Sequence, residues 1–464
     1  MYDNVGLIGL GPMGRAIAQN LEDHGIKVKA WDHATETQDK IVRDLGPNVR
    51  ASSVANMVDS LAAPRLILLF LPVGQPIDDT INTLRTCLKP GDIIADCGNS
   101  HYQDTERRQQ ELESSGISLI GVGVSGGPVG ARSGPAIMAG GDPAAWKKIQ
   151  PVFGAISAVS NDTPCCNYFG KGGAGHFVKM VHNGIEYGVM HLLAELHGYL
   201  EGGCGLDADA IAAIFIDLNQ GHTAGYLTEI TSQVANARLH PGDQPLIYAV
   251  DDAVDQKGTG GWTVKAALDY GASVPTIAEA VFARNLSSNR ALRQGTENAP
   301  RSFDLNAVDQ DQLSDALTLA LASVFAQGLT LFNAIGDIFG YNLNQAEILR
   351  TWRQGCILRG EMLALLIDAV CNDPNSENIL CAGTFPDLTK SKLPALRLLI
   401  ANAISAGAPM AGFSSALAYL ELLNGGAQPG GIIQLQRDYF GHHGLRDKKT
   451  GTLFHGPWNE AGTS

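Results

Sequence analysis

The stretch Val5-Gly-Leu-Ile-Gly9-Leu10-Gly11-Pro-Met13-Gly14-Arg-Ala-Ile-Ala18 decides the fold. An apolar run of strand length ends in a glycine-spaced loop, and helical periodicity begins directly after it. Gly9 permits the tight turn, Gly11 lets the backbone approach a pyrophosphate, and Gly14 allows close packing of helix on strand. Leu10 and Met13 complete the cofactor-facing loop, and the helix N-terminus offers free N–H groups to the phosphates. The next apolar run, Lys27–Trp31, ends at Asp32, near the ~20-residue spacing of the ribose ligand. A carboxylate there accepts hydrogen bonds from the adenosine ribose and repels a 2′-phosphate. No Arg occurs in His33-Ala34-Thr35, so the site reads as NAD, with NADP as the alternative.

Outward from this loop, Leu66–Leu71, Asp92–Asp96 and Ser118–Val122 are further apolar runs of strand length, with helical stretches such as Met13–His24 and Ile77–Leu88 between them. Near-continuous apolar strands alternating with helices predict a parallel, doubly wound α/β sheet of Rossmann type. The pattern changes near Gly170. After the joint Lys171-Gly-Gly-Ala-Gly175 almost everything reads as helix, until Gly425-Gly-Ala-Gln-Pro-Gly-Gly431. The expected domains are therefore 1–175, 176–431 and 432–464, the last an extended tail of little periodicity that needs another surface to order it. Leu206-Asp207, Ile211 and Phe215 recur as Leu343-Asn344, Ile348 and Trp352, all offset by 137, which predicts two copies of one helical unit.

Composition narrows the function. The 464 residues carry 33 basic and 47 acidic side chains, a net charge of −14, and 45% are hydrophobic. Disorder is excluded as a general state, and the acidic balance argues against broad nucleic-acid or membrane surfaces. The run Leu66–Val73 is too short to span a bilayer, and no membrane segment is expected. Eight scattered Cys form neither a CxxC pair nor a zinc spacing, so no metal and a cytoplasmic setting are expected.

One helical stretch carries unusual chemistry. Lys179, His182, Asn183 and Glu186 fall at i, i+3, i+4 and i+7, on one face of Phe177–Leu200. Paired ionisable groups beside a cofactor domain suit acid–base work, whereas an ordinary solvated face would be the bland alternative. At offset 137 the same positions are Ala316, Leu319, Ala320 and Ser323, so the helix itself does not require the polar groups.

At this point the motifs resemble those of the 6-phosphogluconate dehydrogenase family along essentially the whole chain. They are Gly9-Leu-Gly-Pro-Met-Gly14, Cys97-Gly-Asn-Ser100, Gly123-Val-Ser-Gly-Gly127 and Gly175-His-Phe-Val-Lys-Met-Val-His-Asn-Gly-Ile-Glu186. Gln256-Lys-Gly-Thr-Gly260, Ala283-Arg-Asn-Leu-Ser-Ser288, Trp352-Arg-Gln-Gly-Cys356 and Gln436-Arg-Asp-Tyr-Phe-Gly441 continue them. The resemblance implies oxidative decarboxylation of 6-phospho-D-gluconate to D-ribulose 5-phosphate. Lys179 would be the base at the C3 hydroxyl and Glu186 the acid at C1. Asn99, Ser125, Gly126, Gly127, His182 and Asn183 would hold the carboxylate and hydroxyls. Tyr187, Lys257, Thr259 and Arg284 would hold the phosphate, while Arg437 and His443 would come from the tail of a neighbouring subunit, which implies a homodimer.

The chain departs from that family at several points. Asp32-His33-Ala34 stands where Asn-Arg-Thr is usual, and Leu71-Pro72-Val73 where the adenine side usually has Val-Lys-Ala. Both changes remove a cation near the 2′-phosphate position. Pro128-Val129 replaces an acidic pair and Gly261 a Lys, leaving room for 6-deoxy-6-sulfo-D-gluconate as an alternative substrate. A non-decarboxylating 3-hydroxyacid dehydrogenase and a cofactor-sensing binding protein are the other readings; the second helical copy and tail oppose the former, intact Lys179 and Glu186 the latter.

Overall fold

A strand lying between two helix layers needs no alternation of polar and apolar residues, and Val5, Leu7 and Ile8 are all buried. In the computed structural model, which describes residues 2–293 and 309–458, they belong to β1 (Asn4–Ile8). Pro12 starts α1 (Pro12–Asp23) at the position where a missing N–H costs nothing. Then follow β2 (Lys27–Trp31), β3 (Leu66–Leu69), α2 (Gln75–Arg85), β4 (Ile93–Asp96), α3 (Tyr102–Glu113), β5 (Ser118–Ser125), β6 (Ala136–Gly141) and β7 (Cys166–Tyr168). They build one sheet in the order β2-β1-β3-β4-β5-β6-β7. Leu66 and Leu68 enter the core on one face of it, Ile67 and Leu69 the core on the other.

The pairs from β2 through β5 are parallel as expected, but β6 runs antiparallel to β5. The segment 126–135 between them holds only the short helix Gly127–Ser133 and is too brief for a parallel crossover. Strand order reverses between β1 and β3, which opens the ligand crevice of a doubly wound sheet at the carboxyl ends of the strands.

Beyond the sheet come α4 (Ala174–Gly198), α5 (Ala208–Leu218), α6 (Thr259–Tyr270), α7 (Pro275–Ser288), α8 (Gln310–Phe339) and α9 (Gln345–Thr351), among others. The offset of 137 has a structural counterpart. The long helices α4 and α8 pack against each other, and each leads to a capped shorter helix. Asp207 accepts from Ala210 N at 2.8 Å to cap α5, and Asn344 accepts from Glu347 N at 3.0 Å to cap α9. Ile211, Phe215, Ile348 and Trp352 are all fully buried.

Among the described residues one helical span, Gln310–Gly336, is by length and composition long and apolar enough to cross a membrane. Its apolar window is 78% buried inside the fold, as befits a core helix.

The chain divides into two compact units, through Ala416 and from Leu417 onward. The second has more local order than its weak periodicity predicts. It contains α10 (Gly430–Gly441) and a small hairpin of β8 (Leu445–Arg446) and β9 (Leu453–Phe454). Buried Asp438 on α10 accepts from Gly444 N at 2.7 Å, Gly456 N at 3.0 Å and His455 Nδ1 at 2.8 Å, which ties the hairpin to the helix. Ile432, Leu435, Tyr439 and Phe440 nevertheless remain exposed.

Candidate active site

The cofactor loop has the geometry its glycines demand. Gly9 adopts φ +96°, and a Cβ there would collide with the Phe70 carbonyl; a Cβ on Gly14 would collide with the Gly9 carbonyl. Around Gly11 a Cβ would meet nothing within 4 Å, so the loop is open on the side where a pyrophosphate would lie. No side chain caps α1, which leaves its first N–H groups for a ligand. These observations fit a dinucleotide held by Gly9, Leu10, Gly11, Met13 and Gly14.

Asp32 does more than the sequence reading assigned to it. Its Oδ2 accepts from Leu10 N at 2.6 Å and its Oδ1 from Ala34 N at 2.9 Å. The carboxylate therefore braces the glycine loop, and the His33 ring lies 3.3 Å from Oδ1 with its side chain 88% exposed. Leu71, Pro72 and Val73 follow β3, and Asn99 is exposed in the loop after β4, so both segments sit at carboxyl ends of neighbouring strands.

The acid–base face is buried, contrary to the solvated alternative. Glycines place it there: a Cβ on Gly123 in β5 would collide with the Lys179 side chain, and one on Gly175 would lie 2.5 Å from the Met138 carbonyl. Helix α4 thus rests directly on β5 and β6 and delivers Lys179, His182 and Asn183, 7%, 0% and 8% exposed, to the end of the sheet. Lys179 Nζ donates to Asn183 Oδ1 at 2.7 Å. Since that oxygen can only accept, His182 donates to it from Nδ1 at 3.2 Å, and its Nε2 accepts from the Ser125 hydroxyl at 3.3 Å. Glu186 Oε2 lies 3.8 Å from His182 Nδ1.

Burial sets the electrostatics. It pushes the Lys179 ammonium below the ordinary lysine value, against the opposing pull of Glu186. It pushes His182 well down, with help from the Lys179 charge, so the imidazole is neutral. It raises the Glu186 carboxyl, while Lys179 and Arg284 pull it the other way. A lysine pushed to release its proton and a carboxyl pushed to keep its own thus share one face of α4, an arrangement suited to general acid–base catalysis.

The anion pocket also assembles in part. Tyr187 is buried, and the Arg284 guanidinium stacks 3.6 Å from its ring centroid. Thr259 opens α6, and a Cβ on Gly260 would meet the Tyr187 ring at 2.5 Å, so only glycine lets that helix N-terminus abut the tyrosine. Gln256 donates to Asn285, which ties the exposed Lys257 segment to α7. Gly126 takes φ +109° against the Gly355 carbonyl, and Gly127 follows at φ +62°. Arg437 and His443 lie in the second unit, both exposed; they line a cavity there with Arg446 and Lys448.

Two neighbours went unassigned in the sequence. The buried Trp352 ring packs edge-on against His182 with centroids 5.2 Å apart, and Cys356, its thiol pushed up to about 12 by burial, lies within the field of Lys179. Their motif, Trp352-Arg-Gln-Gly-Cys356, was visible, but nothing in its spacing announced that it closes over α4.

Comparisons with known proteins agree with this architecture. Residues 4–170 match the family model described as the NAD binding domain of 6-phosphogluconate dehydrogenase, and residues 175–458 match its C-terminal domain. An NAD(+)-dependent, decarboxylating 6-phosphogluconate dehydrogenase of Bacillus subtilis is 38% identical over 468 residues, covering 99% of this chain and 100% of the relative. An NADP(+)-dependent counterpart from the same organism is also 38% identical, covering 98% of each. Plasmodium falciparum 6-phosphogluconate dehydrogenase, solved in its apo form and with NADP+ and 6-phosphogluconate, superposes with a TM-score of 0.92 at 31% identity, covering 98% of this chain and 100% of that one.

Proposed function

The chain belongs to the 6-phosphogluconate dehydrogenase family, and from that premise we propose that it oxidises and decarboxylates 6-phospho-D-gluconate to D-ribulose 5-phosphate with NAD as the preferred acceptor. The observation that carries the reaction is the buried Lys179–Asn183–His182–Ser125 chain with Glu186 beside it. Bound NAD supplies the acceptor for the hydride that leaves C3. Lys179, whose charge burial disfavours, takes the C3 hydroxyl proton when in its neutral form. The ketone so formed is β to the carboxylate and drains the electrons released with carbon dioxide. Lys179, now protonated, holds the enediolate oxygen, and Glu186 delivers a proton to C1. Asn99, Ser125, Gly126 and Gly127 hold the carboxylate end; Tyr187, Lys257, Thr259 and Arg284 hold the phosphate. Arg437 and His443 complete the site of a second copy, so the working unit is a homodimer; the exposed apolar side chains of α10 support a partner there. The proposed domains remain 1–175, 176–431 and 432–464, in a cytoplasmic enzyme whose eight cysteines are all free.

A substrate panel crossed with both cofactors tests this reading. Carbon dioxide release is expected from 6-phosphogluconate and not from short 3-hydroxyacids. Preference for the 6-sulfo analogue would redirect the anion assignment to Pro128, Val129 and Gly261.

Cofactor choice rests on Asp32. At an effective dielectric near 20, unit charges ~4 Å apart repel by about 4 kcal/mol, and half of that already gives about thirtyfold discrimination against a 2′-phosphate. Asp32→Asn with His33→Arg is expected to move kcat/KM toward NADP, the Arg part losing effect as salt rises. Because Asp32 also braces Leu10 N and Ala34 N, and an amide can accept only through its oxygen, the variant should bind both cofactors more weakly. A wild type that prefers NADP would overturn the NAD assignment.

The pH profile follows from the same burial. The active form of Lys179 is deprotonated, so kcat/KM should fall as pH drops through its pKa, which lies below the ordinary 10.5. The active form of Glu186 is protonated, so activity should fall again as pH rises through its elevated pKa. A rate that does not fall on the acid side would reject Lys179 as the base.

A further inference from the structure

Beneath the crevice lies a largely buried charged network that the chemistry above does not use. Arg108, on α3, has a side chain only 1% exposed. Its Nε donates to Asp78 Oδ1 at 2.7 Å, its Nη2 to the Gly74 carbonyl at 3.2 Å, and its Nη1 to the Ser100 hydroxyl at 3.2 Å. Nη1 also lies 3.5 Å from Asp96 Oδ2, which accepts from the Ser100 hydroxyl at 2.6 Å. Asp96 Oδ1 accepts from Gly98 N at 3.1 Å.

Gly74, Gly98 and Ser100 belong to the two crevice loops, while Asp78 lies on α2 and Asp96 ends β4. Gly74 ends the Leu71–Val73 segment after β3, and Gly98 and Ser100 flank Asn99 after β4. The network also reaches the acid–base helix. His176, one turn before Lys179 on α4, donates from Nε2 to the Asp96 carbonyl at 3.1 Å, and its Nδ1 accepts from the Thr105 hydroxyl of α3 at 2.7 Å. A guanidinium suits this place because its rigid fork donates from three separate nitrogens to Asp78, Ser100 and the Gly74 carbonyl, whereas an ammonium directs all its donors from one atom.

We propose that Arg108 is a positioning residue: its guanidinium clamps the Leu71–Gly74 and Cys97–Ser100 loops to each other, and thereby sets the approach of substrate C3 to the cofactor. The inference rests on the reading that these loops face nicotinamide and substrate. Arg108 touches neither. Its removal frees the two loops to shift independently, and misplacement of about 1 Å can cost on the order of a hundredfold in rate.

The test is Arg108→Lys, which keeps the charge opposite Asp78 and Asp96 but not the fork. Single-turnover formation of NADH from 6-phosphogluconate is followed in the full-length enzyme, with thermal unfolding and NAD affinity measured alongside. The rate constant is expected to fall roughly tenfold to a hundredfold, while KM and NAD affinity stay within about threefold. A merely structural role would instead lower the amplitude, the fraction of competent sites, and leave the rate constant unchanged; that result overturns the proposal. Asp78→Asn, at the less buried end of the network, is expected to lower the rate constant in the same direction and serves by the same readout should Arg108→Lys not fold. A wild-type rate constant in the variant that folds overturns the clamp alone. A wild-type enzyme that releases no carbon dioxide from 6-phosphogluconate overturns the proposed reaction and the clamp with it.

Discussion

Lys179→Met is expected to lose hydride transfer by about a thousandfold or more, within the range a general base contributes, while NAD still binds. The two halves of that outcome come from different parts of the fold. The cofactor loop is built by β1 and α1, and Lys179 stands on α4. Methionine retraces the lysine stem as far as Cε and fills nearly the same buried volume, so the change removes the base and the hydrogen bond to Asn183 without opening a large cavity. Rapid mixing should show no NADH formed in a first turnover, and cofactor titration should be close to wild type. Glu186→Gln should behave differently. It leaves Lys179 in place, so NADH should still appear in the first turnover, with the overall rate slowed at protonation of C1. Near-normal turnover by either variant would reject its assigned role.

Truncation before Gln434 is expected to abolish activity and leave the first unit folded. The reason is the composition of α10 and the hairpin after it. Ile433, Leu435, Tyr439 and Phe440 are exposed, and Arg437 and His443 belong to the same unit, where they line a cavity with Arg446 and Lys448. A helix this apolar is stable in water only against a partner, and a second copy is the partner proposed above. Complementation gives the sharper measurement. Mixed with a full-length Lys179→Met chain, the truncated chain keeps its own Lys179 and receives an intact tail, so heterodimers should regain one working site. No recovery where subunit exchange is demonstrated would count against a shared site.

Much of the site was legible because its signals are local. Gly9, Gly11 and Gly14 each answer a backbone requirement that can be read from spacing, and the i, i+3, i+4, i+7 pattern of Lys179 to Glu186 needs only helical geometry. The dual role of Asp32 was not legible. Its bond to Leu10 N joins residues 22 apart and depends on β1 and β2 lying side by side in register. The same holds for Trp352 against His182, for Arg108 beneath two loops, and for the antiparallel β6, where a short connection overrode the alternation of strand and helix.

By itself, then, the sequence determined the elements, their alternation, the cofactor loop, the duplicated helical unit and the ionisable face of α4, because each follows from periodicity, steric allowance or spacing within a few turns of chain. Only the tertiary structure decided that this face is dry. Whether Lys179 is a base or an ordinary surface ammonium depends on desolvation, and desolvation depends on what distant glycines allow to approach. Gly123 and Gly175 let α4 lie against β5 and β6, and that contact, not the lysine's own neighbours along the chain, lowers its affinity for a proton.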